Sequence, residues 1–291
     1  MMTLAIENYL VFSAMYILLS WAIYLPYRCG QLYLAPIYCM AAGGYFSAYT
    51  ATTWGWPVGA SMVSSPLVGA IFAFFPALVL RKAPGFATAI ASIALVIILQ
   101  TVIMNLDFLG GQAGFFGIPP MAGLLPITLG ILVVCGLFVY RIDNSRIGRA
   151  AEMLFYNRDM AATFGVSMSS ISVFLQVFSG GLSGLAGAIF AFTVGAIFPD
   201  AFGFSILINV AVMVFVGGTL TMWGAVVFGP LLWGIPLILP KVVAEWREII
   251  YGGLLIIILI WKPEGVIGKS TVQDIKKCFG RLFFLARSTS E

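Results

Sequence analysis

From residue 29 to residue 80 the chain carries no Asp, Glu, Lys or Arg, and the stretch between Asp159 and Asp200 is equally empty. A water-soluble surface cannot be built from such runs. Globular domains average about 25% charged residues, whereas this chain of 291 residues is 9% charged and 61% hydrophobic. In hydrocarbon, every backbone N–H and C=O must be satisfied within a helix or a closed barrel. Barrel strands read as short alternating segments, and the runs here are long and solid. The sequence therefore predicts an all-α polytopic integral membrane protein, one transmembrane domain over residues 1–291.

A bilayer core takes about 20 apolar residues per helix. Spans fall near 8–25, 32–51, 58–80, 85–105, 124–140 and 171–196. The region 206–239 is too long for one helix and breaks at Gly217-Gly218-Thr219 and Trp223-Gly224, giving two, the second near 225–239; a last span lies near 249–261. This predicts about 8–10 transmembrane helices, with about nine the best fit. No basic region precedes the first apolar stretch, so it reads as a retained span rather than a cleaved signal.

Thirteen of the 15 Lys and Arg residues sit at Arg28, at Arg81-Lys82, in the loop 141–158 and in the tail after Trp261. By the positive-inside rule these face the cytoplasm. Asp107, Asp200 and the cluster Lys241, Glu245, Arg247, Glu248 then face out, with the N-terminus outside and the C-terminus cytoplasmic. The basic tail 262–291 sets Phe279, Leu282, Phe283 and Ala286 at helical spacing. A basic amphipathic helix on the inner membrane surface and a plain frayed tail both fit.

Several chemistries are disfavoured. The chain has no His, and Cys29, Cys39, Cys135 and Cys278 lack C-x-x-C spacing, so no metal centre or disulfide framework is expected. No Asp-rich cluster suits Mg²⁺, and no G-x-x-x-x-G-K-[ST] suits a P-loop. No cofactor is expected on this chain. The net charge of +4 gives no ground for a nucleic acid partner. No expected span holds an ionisable residue at mid-membrane, which weighs against a proton-coupled carrier and a membrane enzyme.

One polar island interrupts the apolar runs, Arg149-Ala-Ala-Glu152-Met-Leu-Phe-Tyr-Asn157-Arg-Asp159-Met160-Ala161-Ala162-Thr-Phe-Gly165-Val-Ser-Met-Ser169. Flanked by spans, it must lie in water beside the membrane. Asn157 suits the N-cap of a helix of about two turns, Asp159 its positive end, and Gly165 its stop. A short capped helix in a cytoplasmic loop, about 141–170, is a shape for docking a partner.

Other segments carry two readings each. Gly180, Gly184, Gly187, Ala191 and Gly195 recur along one helical face, for close helix packing or for a moving interface along a transport path. Gly110-Gly111-Gln112-Ala113-Gly114…Gly117…Pro119-Pro120 cannot form a regular helix. It reads as a plain outer turn or as the outer mouth of a pathway. Gln100, Asn105, Gln176 and Asn209 are polar groups in apolar context, serving interhelical hydrogen bonds or lining a path.

Taken in order, these residues resemble the permease subunits of branched-chain amino acid ABC importers, the LivM-like branch of the LivH/LivM superfamily. The likeness lies in Gly30-Gln31-Leu32, Gly110-Gly111…Gly114…Gly117-Ile118-Pro119-Pro120, and Gly148-Arg149-Ala150-Ala151…Asn157…Ala161-Ala162…Gly165-Val166. It continues in Gly184…Gly187, Pro199-Asp200…Phe202-Gly203, Val216-Gly217-Gly218…Gly224 and Lys262-Pro263-Glu264-Gly265…Gly268. Where the family favours Ser-Leu/Phe-Gly-His after Gly-Gln, this chain has Tyr33-Leu34-Ala35-Pro36. The apolar run Met153-Leu154-Phe155-Tyr156 replaces residues that are commonly charged.

The resemblance implies an ABC importer permease-like bundle that forms a translocation path, without chemistry of its own, in a bacterial or archaeal cytoplasmic (inner) membrane. It implies coupling through Arg149, Glu152, Asn157, Asp159, Met160, Ala161, Ala162 and Gly165 to separate ATPase subunits, which bind ATP and Mg²⁺. It further implies a second related permease and a periplasmic or extracellular solute-binding protein. Path or outer-gate candidates are Gln100, Asn105, Gly110, Gly111, Gly114 and Asn209; packing candidates are Gly180, Gly184 and Gly187. The expected solutes are branched-chain amino acids or related small solutes such as urea or amides. A stand-alone carrier or channel is the alternative.

Overall fold

The computed structural model describes residues 2–121, 123–219, 221–238, 247–261 and 265. Its helices are α1 (Met2–Tyr27), α2 (Pro36–Thr52), α3 (Val58–Leu80), α4 (Gly85–Met104), α5 (Leu124–Asp143), α6 (Arg146–Tyr156), α7 (Arg158–Thr163), α8 (Met168–Val194), α9 (Phe204–Gly217), α10 (Met222–Ile238) and α11 (Arg247–Trp261). Prolines punctuate them. Pro36 opens α2, where its missing N–H costs nothing, and Pro57 and Pro84 stand just before α3 and α4.

Among the described residues, apart from the short α6 and α7, nine helices follow the order of the nine expected spans. They alternate between two ends of the bundle. One end gathers the finish of α1, α3 and α5, the starts of α4 and α8, and the α6–α7 loop; it carries Arg28, Arg81, Lys82 and Arg141 and is called the basic end below. Six helical segments are long and apolar enough to cross a membrane. This is a multi-pass membrane protein.

One expected span needs correction. The segment 32–51 is helical only from Pro36, and residues 31–34 form no regular element. The resulting α2 has 17 residues, about 25 Å, short of an average hydrocarbon core of about 30 Å. It is also buried along most of its length. Because α2 faces other helices instead of lipid, its polar Ser47 and Thr50 are tolerated, each hydroxyl donating to a carbonyl one turn back.

The centre of the bundle is α8, packed on α1, α2 and α3. Glycines set those distances. A Cβ on Gly184 would run into the Ser65 carbonyl and lie 3.0 Å from Gly69 Cα, while one on Gly44 would lie 3.0 Å from the Gly187 carbonyl oxygen. Gly180 meets Ala73 and Gly69 in the same way. Backbones this close gain dispersion contacts that lipid cannot match. Gly195 does not continue this face; it ends α8 in the left-handed region at φ 76°.

The perimeter is α3, α4 and α5, whose outward faces expose Leu67, Ile71, Phe75, Ile90, Ile97 and Val133. At the end opposite the basic one, two connections are stitched together. Strand β1 (Phe115–Phe116) pairs antiparallel with β2 (Ala196–Ile197), in register Phe115 with Ile197 and Phe116 with Ala196. Lys241, Glu245 and the tail 262–291 except Gly265, including its expected amphipathic helix, lie outside the described residues.

Candidate functional site

The polar island folds into α6 and α7 with Asn157 between them. Ser145 caps α6, its Oγ accepting from the amides of Ile147 (3.1 Å) and Gly148 (3.4 Å). Asn157 closes α6 and opens α7, its Oδ1 accepting from Asp159 N (3.1 Å) and Met160 N (3.0 Å). The exposed Asp159 stands in the first turn of α7, where its charge opposes the helix dipole. Gly165 lies just beyond the end of the helix at φ 76°, a conformation that strains any residue with a Cβ. The helix has six residues, slightly under the two turns expected.

Four side chains fasten this loop to the bundle or leave it free to bind. Ala161 is buried, whereas Tyr156, Met160 and Phe164 are 67%, 58% and 70% exposed. Between α6 and α7 a groove of ≈ 460 Å³ is lined by Arg149, Glu152, Met153, Tyr156, Asn157, Met160 and Ala161. Arg149 is already committed to its own chain, donating from Nη1 to the Asn144 carbonyl at 2.9 Å.

Beneath the loop lies a cluster that the sequence did not announce. Arg28, 6% exposed, pairs from Nη2 with Asp143 Oδ1 at 2.9 Å and Glu152 Oε2 at 3.5 Å, and Tyr24 OH donates to the same Asp143 oxygen at 3.0 Å. The turn after α1, the end of α5 and the middle of α6 are thereby joined. Two residues on, Arg158 Nη2 donates to the Gly30 carbonyl at 3.4 Å, and Tyr27 packs against Phe155. Burial pushes the Cys29 thiol up to about 12, against the pull of Arg28 and Arg158.

Gln31 is wholly buried. Its Oε1 accepts from Ser172 Oγ and from Gln176 Nε2 (2.7 Å), and its Nε2 donates to the carbonyls of Leu80 and Ala83 (3.4 Å each). One side chain thus ties the α1–α2 turn to the end of α3, to the connection into α4 and to α8.

At the opposite end Gln100 Nε2 donates to Asp200 Oδ1 at 3.0 Å. Asn105 is not inside a span; it caps the end of α4, exposed, and donates to the Thr101 carbonyl. Gly110, Gly111 and Gly114 all take positive φ. A Cβ on Gly114 would lie 2.6 Å from the Phe198 ring, so the stitch between the two loops requires glycine there. Asn209 is buried on α9 and its Oδ1 has no hydrogen-bond partner. The structure does not bring Asn209 together with Gln100 or Asn105.

The model of the branched-chain amino acid transport system permease component family matches residues 5–259. The chain belongs to that family. It is 30% identical over 144 residues to the high-affinity branched-chain amino acid transport system permease protein LivM of Salmonella typhimurium, an alignment covering 49% of this chain and 34% of that one. The Escherichia coli LivM matches to the same extent. BraD of Pseudomonas aeruginosa, a permease protein of the same description, is 25% identical over 171 residues, 58% of this chain and 55% of its own. The alignments thus span about a third to a half of these relatives' length. No solved structure is significantly similar.

Four of the segments that carried the resemblance, scattered through the sequence, lie at one end of the bundle, while residues 110–120 and 199–203 lie at the other. Gly30-Gln31, the α6–α7 loop, Gly217-Gly218 and Gly265 all gather at the basic end; Phe215 stacks edge-on to Tyr27, and a Cβ on Gly265 would fall 2.7 Å from the Gly218 nitrogen. Sequence reasoning missed Tyr24, Asp143 and Ser172, and treated Arg28 as a topology marker only. Among the described residues no group of three His, Cys, Asp or Glu could hold a metal ion.

Proposed function

We propose that the chain is the membrane-spanning subunit of an ABC importer for branched-chain amino acids or related small solutes, docked on ATPase subunits through the α6–α7 loop. The observation that carries this reading is the Asn157 cap. It makes a rigid two-helix knuckle with Tyr156, Met160 and Phe164 exposed around a groove, at the end of the bundle that carries Arg81, Lys82 and Arg141. An apolar docking face suits a partner surface that is itself apolar. By the positive-inside rule this end is cytoplasmic and the β1–β2 end faces the side from which a solute-binding protein delivers.

In this reading ATP and Mg²⁺ reside on the ATPase subunits, and a second related permease completes the path in a cytoplasmic membrane. Movement of the knuckle reaches the bundle through Glu152–Arg28 and Arg158–Gly30. Gln31 then passes it to α3 and α8. The names of the relatives, together with the family match, support the solute class.

The test is reconstitution in vesicles with the partner ATPases and binding protein. Asp159→Lys and Gly165→Val should lower ATP-driven uptake at least ten-fold while the protein still inserts. Unimpaired uptake in both variants would remove the docking role. Solute flux through the chain with no ATPase present would favour a stand-alone carrier.

A further inference from the structure

Between α3, α5 and α8 a second groove of ≈ 330 Å³ opens sideways from the bundle, lined by apolar side chains and glycine that include Pro66, Ala70, Val134, Cys135, Phe174 and Gly181. Along α8 the lining runs from Phe174 to Leu185, about 17 Å at the helical rise. The groove is thus long and apolar, and open on the side that faces lipid. Its length and its apolar lining suit one extended hydrocarbon chain.

Charge names the other half of the ligand. The α5 wall continues along one helical face from Val134 and Phe138 to Arg141. Arg141 is exposed, and among the described residues no acid pairs with it. The α3 wall ends in the exposed Arg81 and Lys82. The carboxylates nearest in sequence, Asp143 and Glu152, are drawn inward by Arg28. Unneutralised cations where a hydrocarbon slot meets the headgroup level select an anionic lipid.

We propose that this groove is a binding site for an anionic phospholipid of the cytoplasmic leaflet, one acyl chain between α3, α5 and α8 and the phosphate on Arg141. The proposal needs the membrane placement of the fold and its charge bias, but not the transport reading.

The full-length chain, extracted in mild detergent, is titrated with palmitoyl-oleoyl phosphatidylglycerol or the phosphatidylcholine of the same chains, and retained lipid is counted by native mass spectrometry. Phosphatidylglycerol should be retained about five-fold better, the effect of about one basic residue at a membrane surface. Arg141→Gln should erase that preference and Arg141→Lys should keep it. Cys135→Trp, which fills the slot, should release both lipids. Equal retention of the two lipids by the unaltered chain overturns the proposal, as does an unchanged preference in Arg141→Gln. Displacement of the lipid when a second permease chain binds would also overturn it, making the groove a subunit interface.

Discussion

Arg158, the first residue of α7, holds the carbonyl of Gly30 at 3.4 Å, and the residue after Gly30 is the buried hub Gln31. The exposed knuckle and the interior of the bundle are therefore one residue apart in the chain. A rigid-body shift of α7 cannot occur without either breaking this bond or moving the 28–31 turn.

Replacing Gln31 by Leu should leave the Ser172 hydroxyl without its acceptor and the Ala83 carbonyl without its donor, while Gln176 keeps Ser172 and the Leu80 carbonyl keeps the Ala83 amide. Each unsatisfied buried group costs about 1–3 kcal/mol. Thermal unfolding in detergent should fall by several degrees, and reconstituted uptake should drop while binding of the ATPase persists. Equal loss of ATPase binding and uptake would mean that Gln31 serves stability alone.

Arg28→Met should be more damaging than Glu152→Gln. Removing one member of a fully buried pair costs about 3–5 kcal/mol; Asp143 is 22% exposed and keeps the Tyr24 hydroxyl, so the loss of Arg28 should cost less than that. With Glu152→Gln the 2.9 Å pair with Asp143 remains. Paired melting curves would show the order, and equal losses would argue against the Asp143 bond as the stronger contact.

Gly184→Leu should prevent α2, α3 and α8 from closing, because the new side chain would meet the Ser65 carbonyl and the Gly69 backbone. Overpacking of this kind costs about 1–3 kcal/mol or more. Gly252→Ala, in a helix and with nothing within 4 Å of the new Cβ, is the control and should not lower the melting temperature.

Asn157→Ala should loosen the knuckle by about 1 kcal/mol, the usual worth of an N-cap. Asn157→Asp keeps an acceptor for the two amides and should preserve stability. A cycle of the two variants, read as uptake per ATP hydrolysed, separates the cap from the amide itself.

The thiol of Cys29 should resist maleimide at pH 7–8. It is fully buried, and a pKa raised to about 12 leaves almost no thiolate, the reactive form. If the knuckle moves during transport, addition of ATP to the assembled complex should expose it. Labelling at the same rate with and without nucleotide would show that the 28–31 turn stays shut.

The perimeter and the knuckle were legible in the sequence for the same reason: both are fixed by local chemistry. Lipid demands long apolar runs, and these marked α3, α4 and α5 to within a few residues, as the apolar run of the central α8 marked that helix. Asn157, Asp159 and Gly165 act on a helix only six residues long, so their spacing spelled it out. The start of α2 was misjudged because Leu32 and Leu34 are as apolar as a span, and only Pro36 marks the turn into helix. Asn105 was placed inside α4 although an amide at a helix end can bond the preceding turn. The tie of Gln31 to Ser172 and Gln176 could not be read at all, since these partners are 141 and 145 positions away. Arg28 likewise gave no hint of Glu152, 124 positions on.

The enclosed α2 has a consequence for biogenesis. It leaves the ribosome well before α8, the helix that later wraps it, and it is shorter and less greasy than its neighbours. By itself it is a poor substrate for lateral release into lipid. Its integration must wait on sequence synthesised later, so a nascent chain halted ahead of Met168 would hold an unprotected segment at the translocon.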